Sequence, residues 1–340
     1  MTTIAVDAMG GDYAPVEIVH GSVLAAKEYD ISIQLVGPLD ILNQELQKYD
    51  AGNLPIQVIP ANDVIDMGEK QPASAVRRKQ DASIVVAVNQ VVNGSAQGLV
   101  AAGSTGAAAA AAALCLKRIE GIERPCIAAV MPTTKGPVIL ADAGANVEAS
   151  SEQLLQNAIM GSALSKGLFK LEHPRIGILN IGEEVGKGNM LVKEAYKLLS
   201  GFDELNFIGN VQGRDVFEGV CDVCVCDGFV GNVFLKTAEG VVKMITSLLR
   251  EELTKDLFGK VGSLFAKDSF YRLKKRIDYS EYGGAQLLGI RGVCVIAHGS
   301  SKHIAIKNAI RVAKDAANAN VINLIETMNK SYNMKALKSG

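Results

Sequence analysis

Tryptophan is absent from the 340-residue sequence and aromatic residues make up 5% of it. Few large side chains are available to fill gaps, so close backbone packing and tight turns are expected instead. An excess of one charge is also missing, because 35 Lys and Arg stand against 36 Asp and Glu for a net charge of -1. No global positive field exists to hold a polyanion, which argues against nucleic acid as a partner. The stretch 1–7 has no basic residues ahead of its apolar ones and is interrupted by Asp7. A secretory signal is therefore not expected, and a cytoplasmic protein with reduced thiols is.

The familiar metal and nucleotide fingerprints are missing as well. Cys221, Cys224 and Cys226 fall in the strand-like run CDVCVC with no second Cys pair, Cys115, Cys126 and Cys294 stand alone, and the four histidines at 20, 173, 298 and 303 are scattered. Buried, apolar cysteines and no metal cage are expected. The run GEEVGKG at 182–188 suggests a triphosphate loop but has one residue too few between Gly182 and Gly186, and Gly188 stands where a Mg²⁺-binding hydroxyl belongs. Glu183 and Glu184 would also repel a triphosphate. No GxGxxG follows the first strand-like run, so neither nucleotide nor dinucleotide is expected as a cofactor. The uncharged stretch 82–116 owes its second half to alanine and carries Gly103, Ser104, Thr105 and Gly106. It reads as strand, turn and buried helix, not as a membrane span.

Short β-branched runs alternate with helical patterns. Strands are expected over 3–9, 31–37, 55–61, 98–103, 126–132, 137–144, 175–182, 206–211, 222–228 and 292–299. Helices are expected over 15–29, 39–49 and 73–92, in the alanine-rich stretch, and over 150–169. Near-continuous apolar strands separated by helices predict an α/β fold, a largely parallel sheet covered on both faces. Ligands of such sheets bind outside the carboxyl ends of the strands. Those ends read DAMGGD (7–12), AGSTGA (102–107), DAGAN (142–146), NIGEEVGKGN (180–189), DGFVGN (227–232) and AHGSS (297–301). Six glycine-bearing polar turns on one edge would cradle a small anion. Lys187, between two glycines, is the strongest cation for it. His298 reads as a proton donor or anion ligand, or equally as a structural histidine.

The segment 255–279 differs from its surroundings. Leu257, Phe258, Val261, Leu264 and Phe265 form one helical stripe, while Lys260, Lys267, Arg272, Lys274, Lys275 and Arg276 supply positive charge. Gly259 and Gly262 weaken the helix. A membrane surface, an acidic protein partner or a hairpin on a dimer partner all suit such a segment.

At DAMGGD, ADAGAN, NIGEEVGKGN, CDGFVGN and YGGAQLLGIRG…AHGSS the sequence resembles the PlsX family, the phosphate:acyl-acyl carrier protein acyltransferases of bacterial phospholipid synthesis, from residue 4 to about 318. The resemblance implies a three-layer α/β/α fold like the phosphotransacetylases and the isocitrate and isopropylmalate dehydrogenases, usually homodimeric. It implies a discontinuous first domain, 1–115 plus 285–340, and a second over 116–284. Acyl carrier protein and inorganic phosphate would be the substrates, and acyl phosphate would pass to a membrane glycerol-3-phosphate acyltransferase. Ser104 departs from the family, which carries Asn there.

On that resemblance, phosphate attacks the thioester directly, with no acyl-enzyme and no cofactor. Lys187 with the backbone of Gly186, Gly188 and Asn189 orients phosphate, Asn232 donates to the oxyanion, and His298 protonates the leaving thiolate. Gly10, Gly11, Ser104, Thr105, Gly106, Asp142, Asn146 and Asn180 line the pocket, although Asp7, Asp142 and Asp227 also suit turn-ordering roles. Leu257, Phe258, Leu264, Phe265, Lys274, Lys275 and Arg276 would meet membrane or carrier protein, making the protein peripherally membrane-associated. The alternatives are an NAD(P)-dependent dehydrogenase on the same fold and a non-catalytic membrane-associated scaffold.

Overall fold

The computed structural model describes residues 1–277 and 279–339, apart from the side chains of Lys274, 279–280 and 335–339. Among these residues, eleven strands are β1 Thr2–Asp7, β2 Ile31–Gly37, β3 Ile56–Pro60, β4 Gly98–Ala101, β5 Cys126–Pro132, β6 Pro137–Ala141, β7 Arg175–Leu179, β8 Asn206–Val211, β9 Val223–Val225, β10 Ala285–Leu288 and β11 Val293–Ile296. The helices are α1 Val16–Glu28, α2 Leu39–Leu46, α3 Pro72–Arg78, α4 Ser83–Val92, α5 Thr105–Cys115, α6 Ser151–Phe169, α7 Met190–Ser200, α8 Gly213–Phe217, α9 Gly228–Thr254, α10 Leu257–Phe265, α11 Lys267–Ile277, α12 His303–Asn318 and α13 Val321–Ser339.

All the strands join one sheet in the order β3-β2-β1-β4-β11-β10-β5-β6-β9-β7-β8. Alternate residues enter opposite layers, because successive side chains of a strand point to opposite faces. Ile4, Val6, Val100 and Val295 pack in one cluster with α1, α6 and α12, while Ala5, Leu99, Ala101, Cys294 and Ile296 pack in another with α4 and α5. Helices thus cover both faces of a mostly parallel sheet, as the apolar strands predict.

Two expectations change. The helix expected over 73–92 is broken, because the backbone at 79–82 turns aside: Ser83 N donates to Asp63 O, and Lys79 Nζ reaches Asp63 Oδ1 at 2.8 Å. The strand ends do not share one edge. β5 runs antiparallel to both β10 and β6, and β10 antiparallel to β11. Strands β6, β9, β7 and β8 therefore point opposite to β1, β2, β3, β4 and β11, and the turns at 142–146, 180–189 and 227–232 leave the edge opposite to those at 7–12, 102–107 and 297–301.

Candidate active site at the middle of the sheet

Where the strand direction reverses, the helix layer opens. A cleft of about 360 Å³ lies on the α5 face, floored by Ile127 and Ala129 of β5, Ala285 of β10 and Ile296 of β11. Ala285 pairs with both Ala129 and Ile296, so the floor is one row across three strands. Thr105 opens α5 on one wall; Asn232, Leu235, Lys236 and Glu239 of α9 form the other, with Gly144, His298 and Ser301 at the rim.

The α9 wall is set by close backbone approach. Asp227 caps the helix, its Oδ1 accepting from Phe229 N and Val230 N at 3.0 and 2.9 Å. A Cβ on Gly231 would lie 1.8 Å from the carbonyl oxygen of Asp142, so only glycine lets the helix sit against that turn. The turn itself is held by the fully buried Asp142 carboxylate. It accepts from the backbone N–H groups of Ile127, Gly144, Ala145 and Asn146, and from Asn146 Nδ2 at 2.9 Å. Asn146 Nδ2 also donates to Pro125 O at 2.7 Å. Both side chains are engaged in tying the turn to itself and to the start of β5, and neither lines the cleft. Their effect is to place Gly144 and Asn232.

The opposite wall follows similar logic. Ser104 caps α5 by accepting from Ala107 N, leaving Thr105 exposed at the first turn. A Cβ on Gly10 would come within 2.6 Å of Asp7 Oδ2 and 2.8 Å of Gly103 N, so the 7–12 turn is pressed onto the α5 entry. Gly11 abuts Ala102 O and Gly299 O, and Gly106 abuts Pro72. These glycines act as spacers behind the cleft. Burial pushes the carboxyl group of Asp7 up, against hydrogen bonds from Ser83 and the backbone. At the rim, Ser300 N donates to His298 Nδ1, so that nitrogen accepts and Nε2 is the ring's donor.

Lys187 and its loop are not in the cleft lining. Asn180 Nδ2 donates to Lys187 O at 3.1 Å, Asn210 Nδ2 donates to Glu184 O at 2.9 Å, and Asn189 caps α7 through Val192 N. Gly186 and Gly188 take left-handed φ values of 95° and 92°. The loop is a built structure with an exposed lysine, and it leaves the edge from which Asn232 also rises. Sequence reasoning missed Lys236, whose Nζ bonds Glu239 at 2.9 Å. The signal was present: Asn232, Lys236 and Glu239 are spaced i, i+4, i+7, one helical face.

No cysteine is among the residues that line the cleft. Burial pushes Cys126 and Cys226 up, and Cys294 to about 12. Cys115, partly exposed at the far end of α5, is also raised by burial.

Within the 255–279 segment, of which residue 278 lies outside the described residues, α10 and α11 follow the long α9. Leu257, Phe258, Leu264 and Phe265 are exposed, Phe258 to 90% and Phe265 to 87%. Lys275 is exposed, whereas Arg276 Nη2 donates to Thr134 O. The side chain of Lys274 lies outside the described residues. Among those residues, no helix is long and apolar enough to cross a membrane.

Comparison with known proteins bears on the fold and the family. The solved phosphotransacetylase of Streptococcus pyogenes superposes with a TM-score of 0.64 over 93% of this chain and 94% of its own, at 16% identity, which is a likeness of fold. Curated relatives named phosphate acyltransferase include those of Pelotomaculum thermopropionicum, 48% identical over 98% of this chain and 96% of its own, and Heliobacterium modesticaldum, 50% identical over 95% and 96%. The model of the family described as fatty acid synthesis protein matches residues 2–324. The chain belongs to that family, the PlsX family of the resemblance.

Proposed function

We propose that the central cleft transfers a fatty acyl group from acyl-acyl carrier protein to inorganic phosphate, giving acyl phosphate for phospholipid synthesis and free carrier protein. The carrying observation is the pairing of an apolar floor with walls that present a helix N-terminus, an amide and a cation. The relatives named phosphate acyltransferase support the same reaction.

A phosphate oxygen attacks the thioester carbonyl carbon, the C–S bond breaks, and the sulfur leaves as thiolate. The first backbone N–H groups of α5 and the Thr105 hydroxyl hold the phosphate, since a helix N-terminus favours an anion. Lys236 offsets the repulsion between that anion and the carbonyl dipole. Asn232 Nδ2 donates to the oxyanion as the carbonyl becomes tetrahedral. His298 Nε2–H donates a hydrogen bond to the departing thiolate, which leaves without taking the proton. Ile127, Ala129, Ala285 and Ile296 receive the apolar chain next to the thioester. No cysteine lines the cleft to carry the acyl group, so the phosphate attacks the thioester directly. Lys187, exposed on its own loop outside the cleft lining, attracts phosphate to the protein. The cleft lies at the seam of two domains, 1–115 with 285–340 and 116–284, each supplying part of its lining.

The α9–α11 arm serves assembly and location. Val241, Met244, Ile245, Leu248 and Leu249 form an exposed stripe with i, i+3, i+4, i+7, i+8 spacing, which suits the same helix of a second copy. Beyond it, α10 rests on an anionic membrane surface, and basic residues such as Lys275 meet the acidic carrier protein. This places acyl phosphate beside a membrane glycerol-3-phosphate acyltransferase.

Incubation with acyl-acyl carrier protein and phosphate, with hydroxylamine trapping, tests the reaction. Acyl hydroxamate that requires both substrates is expected. Its absence, with thioester unconsumed, contradicts the proposal.

A further inference from the structure

On the sheet face opposite the cleft, α1 and α12 bring together two histidines and a carboxylate that acyl transfer does not use. Glu17 and His20 are spaced i, i+3 on α1, and His303 is the first residue of α12. One donor atom from each lies within 4.8 Å of the others. The His20 and His303 rings stack with centroids 4.2 Å apart, and Tyr49 also stacks on His20 at 5.1 Å. Glu17 Oε2 accepts from His303 N at 2.7 Å and lies 2.6 Å from His303 Nδ1.

That contact fixes the chemistry of His303. An ion seated between Glu17 Oε2 and His303 Nδ1 would take the place of the proton that bridges them, which is released to solvent on binding. The His20 ring, stacked on that of His303, brings a third donor atom to the same point. The side chains of His303 and Glu17 remain 33% and 24% exposed, which leaves access for an ion and a water ligand.

We propose that Glu17, His20 and His303 form a binding site for one divalent transition-metal cation of the zinc class. Two imidazoles and a carboxylate suit Zn²⁺, Co²⁺ or Ni²⁺ better than Mg²⁺ or Ca²⁺, which take oxygen ligands. Three protein ligands and a water complete a tetrahedral set. The Glu17 charge offsets the cost of a cation near the α12 N-terminus. The ion ties α1 to α12, the helices that follow the 7–12 and 297–301 turns, and so fixes both behind the catalytic cleft. The site is composed of residues from the two ends of the chain, and scattered histidines in the sequence conceal it.

The test is calorimetric titration of Zn²⁺ into the chelator-treated full chain in a non-thiol reductant. One equivalent per chain is expected, with binding weakened about tenfold or more in His20→Ala and unchanged in Cys115→Ser, which removes the partly exposed thiol. A parent that binds no Zn²⁺, or a His20→Ala variant that binds like the parent, overturns the site. Proton NMR of the parent with Co²⁺ decides independently of any variant's folding: the His20 and His303 ring signals shift while those of His173 stay. Unmoved His20 and His303 signals contradict the proposal.

Discussion

The Gly231 Cα hydrogen faces the carbonyl oxygen of Asp142 so closely that a methyl carbon there would stand 1.8 Å from it. The first turn of α9 is thereby fixed against the β6 turn, and Asn232 and Lys236 are aimed into the cleft by backbone contact. Replacing glycine by alanine inside a helix ordinarily gains about 1 kcal/mol. Here the obstacle is backbone that cannot move aside, so overpacking wins. Gly231→Ala is expected to lose about 3 kcal/mol in urea unfolding and most of the acyltransferase activity.

The two lysines should separate in kinetics. Lys236 lines the cleft, while Lys187 is exposed on its own loop. Lys236→Ala is expected to lower turnover by about 10²-fold, as for a charge acting on the transition state. Lys187→Ala is expected to raise the phosphate KM with a smaller change in turnover. Steady-state kinetics at varied phosphate check this, and the reverse pattern would move Lys187 to the reacting atoms.

Stability at acid pH should depend on Asp222. Burial disfavours its charge, but Arg175 Nε and Nη2 donate to it at 3.0 and 2.8 Å, and its backbone N at 2.7 Å, holding the carboxyl below its ordinary 3.8. A lowered native pKa adds stability above the unfolded value, and that stability is lost as pH falls through the native one. Asp222→Asn is expected to cost about 1–2 kcal/mol at pH 7, trimmed by the partial exposure of Arg175. The difference from the parent should shrink below pH 3.8. Urea unfolding at several pH values measures it.

The arm offers a separable test. Leu264→Glu with Phe265→Glu should abolish flotation with anionic liposomes while the protein stays dimeric and active in solution, because both side chains are exposed and outside the cleft. A dimeric double variant that floats like the parent would contradict membrane contact through α10.

Much of this was legible in the sequence because apolar periodicity reports burial directly. Runs such as IAV at 4–6 and VCVI at 293–296 are strands covered on both faces. The Gly-bearing turns were also readable, since DAGAN and DGFVGN meet where Gly231 and Asp142 touch. Strand direction was not, because nothing local in CIAAVMP or PVILA marks the antiparallel pairing of β5 with β6. Strand β10 escaped because AQLL is short and poor in β-branched residues. The roles expected of Asp142 and Asn146 changed once their hydrogen bonds were seen to close within the turn. Lys236 escaped because a helix-borne lysine carries no glycine signature, and only its spacing from Asn232 gives it away.

Asn232 offers the most direct test of the cleft as the place where thioester meets phosphate. Acyl hydroxamate formation from acyl-acyl carrier protein and phosphate should be measured for the parent and for Asn232→Ala, with circular dichroism to confirm equal folding. Loss of an oxyanion donor is expected to lower turnover by about 10²-fold and leave the phosphate KM nearly unchanged. A folded Asn232→Ala protein that turns over at the parent rate would place the reaction elsewhere.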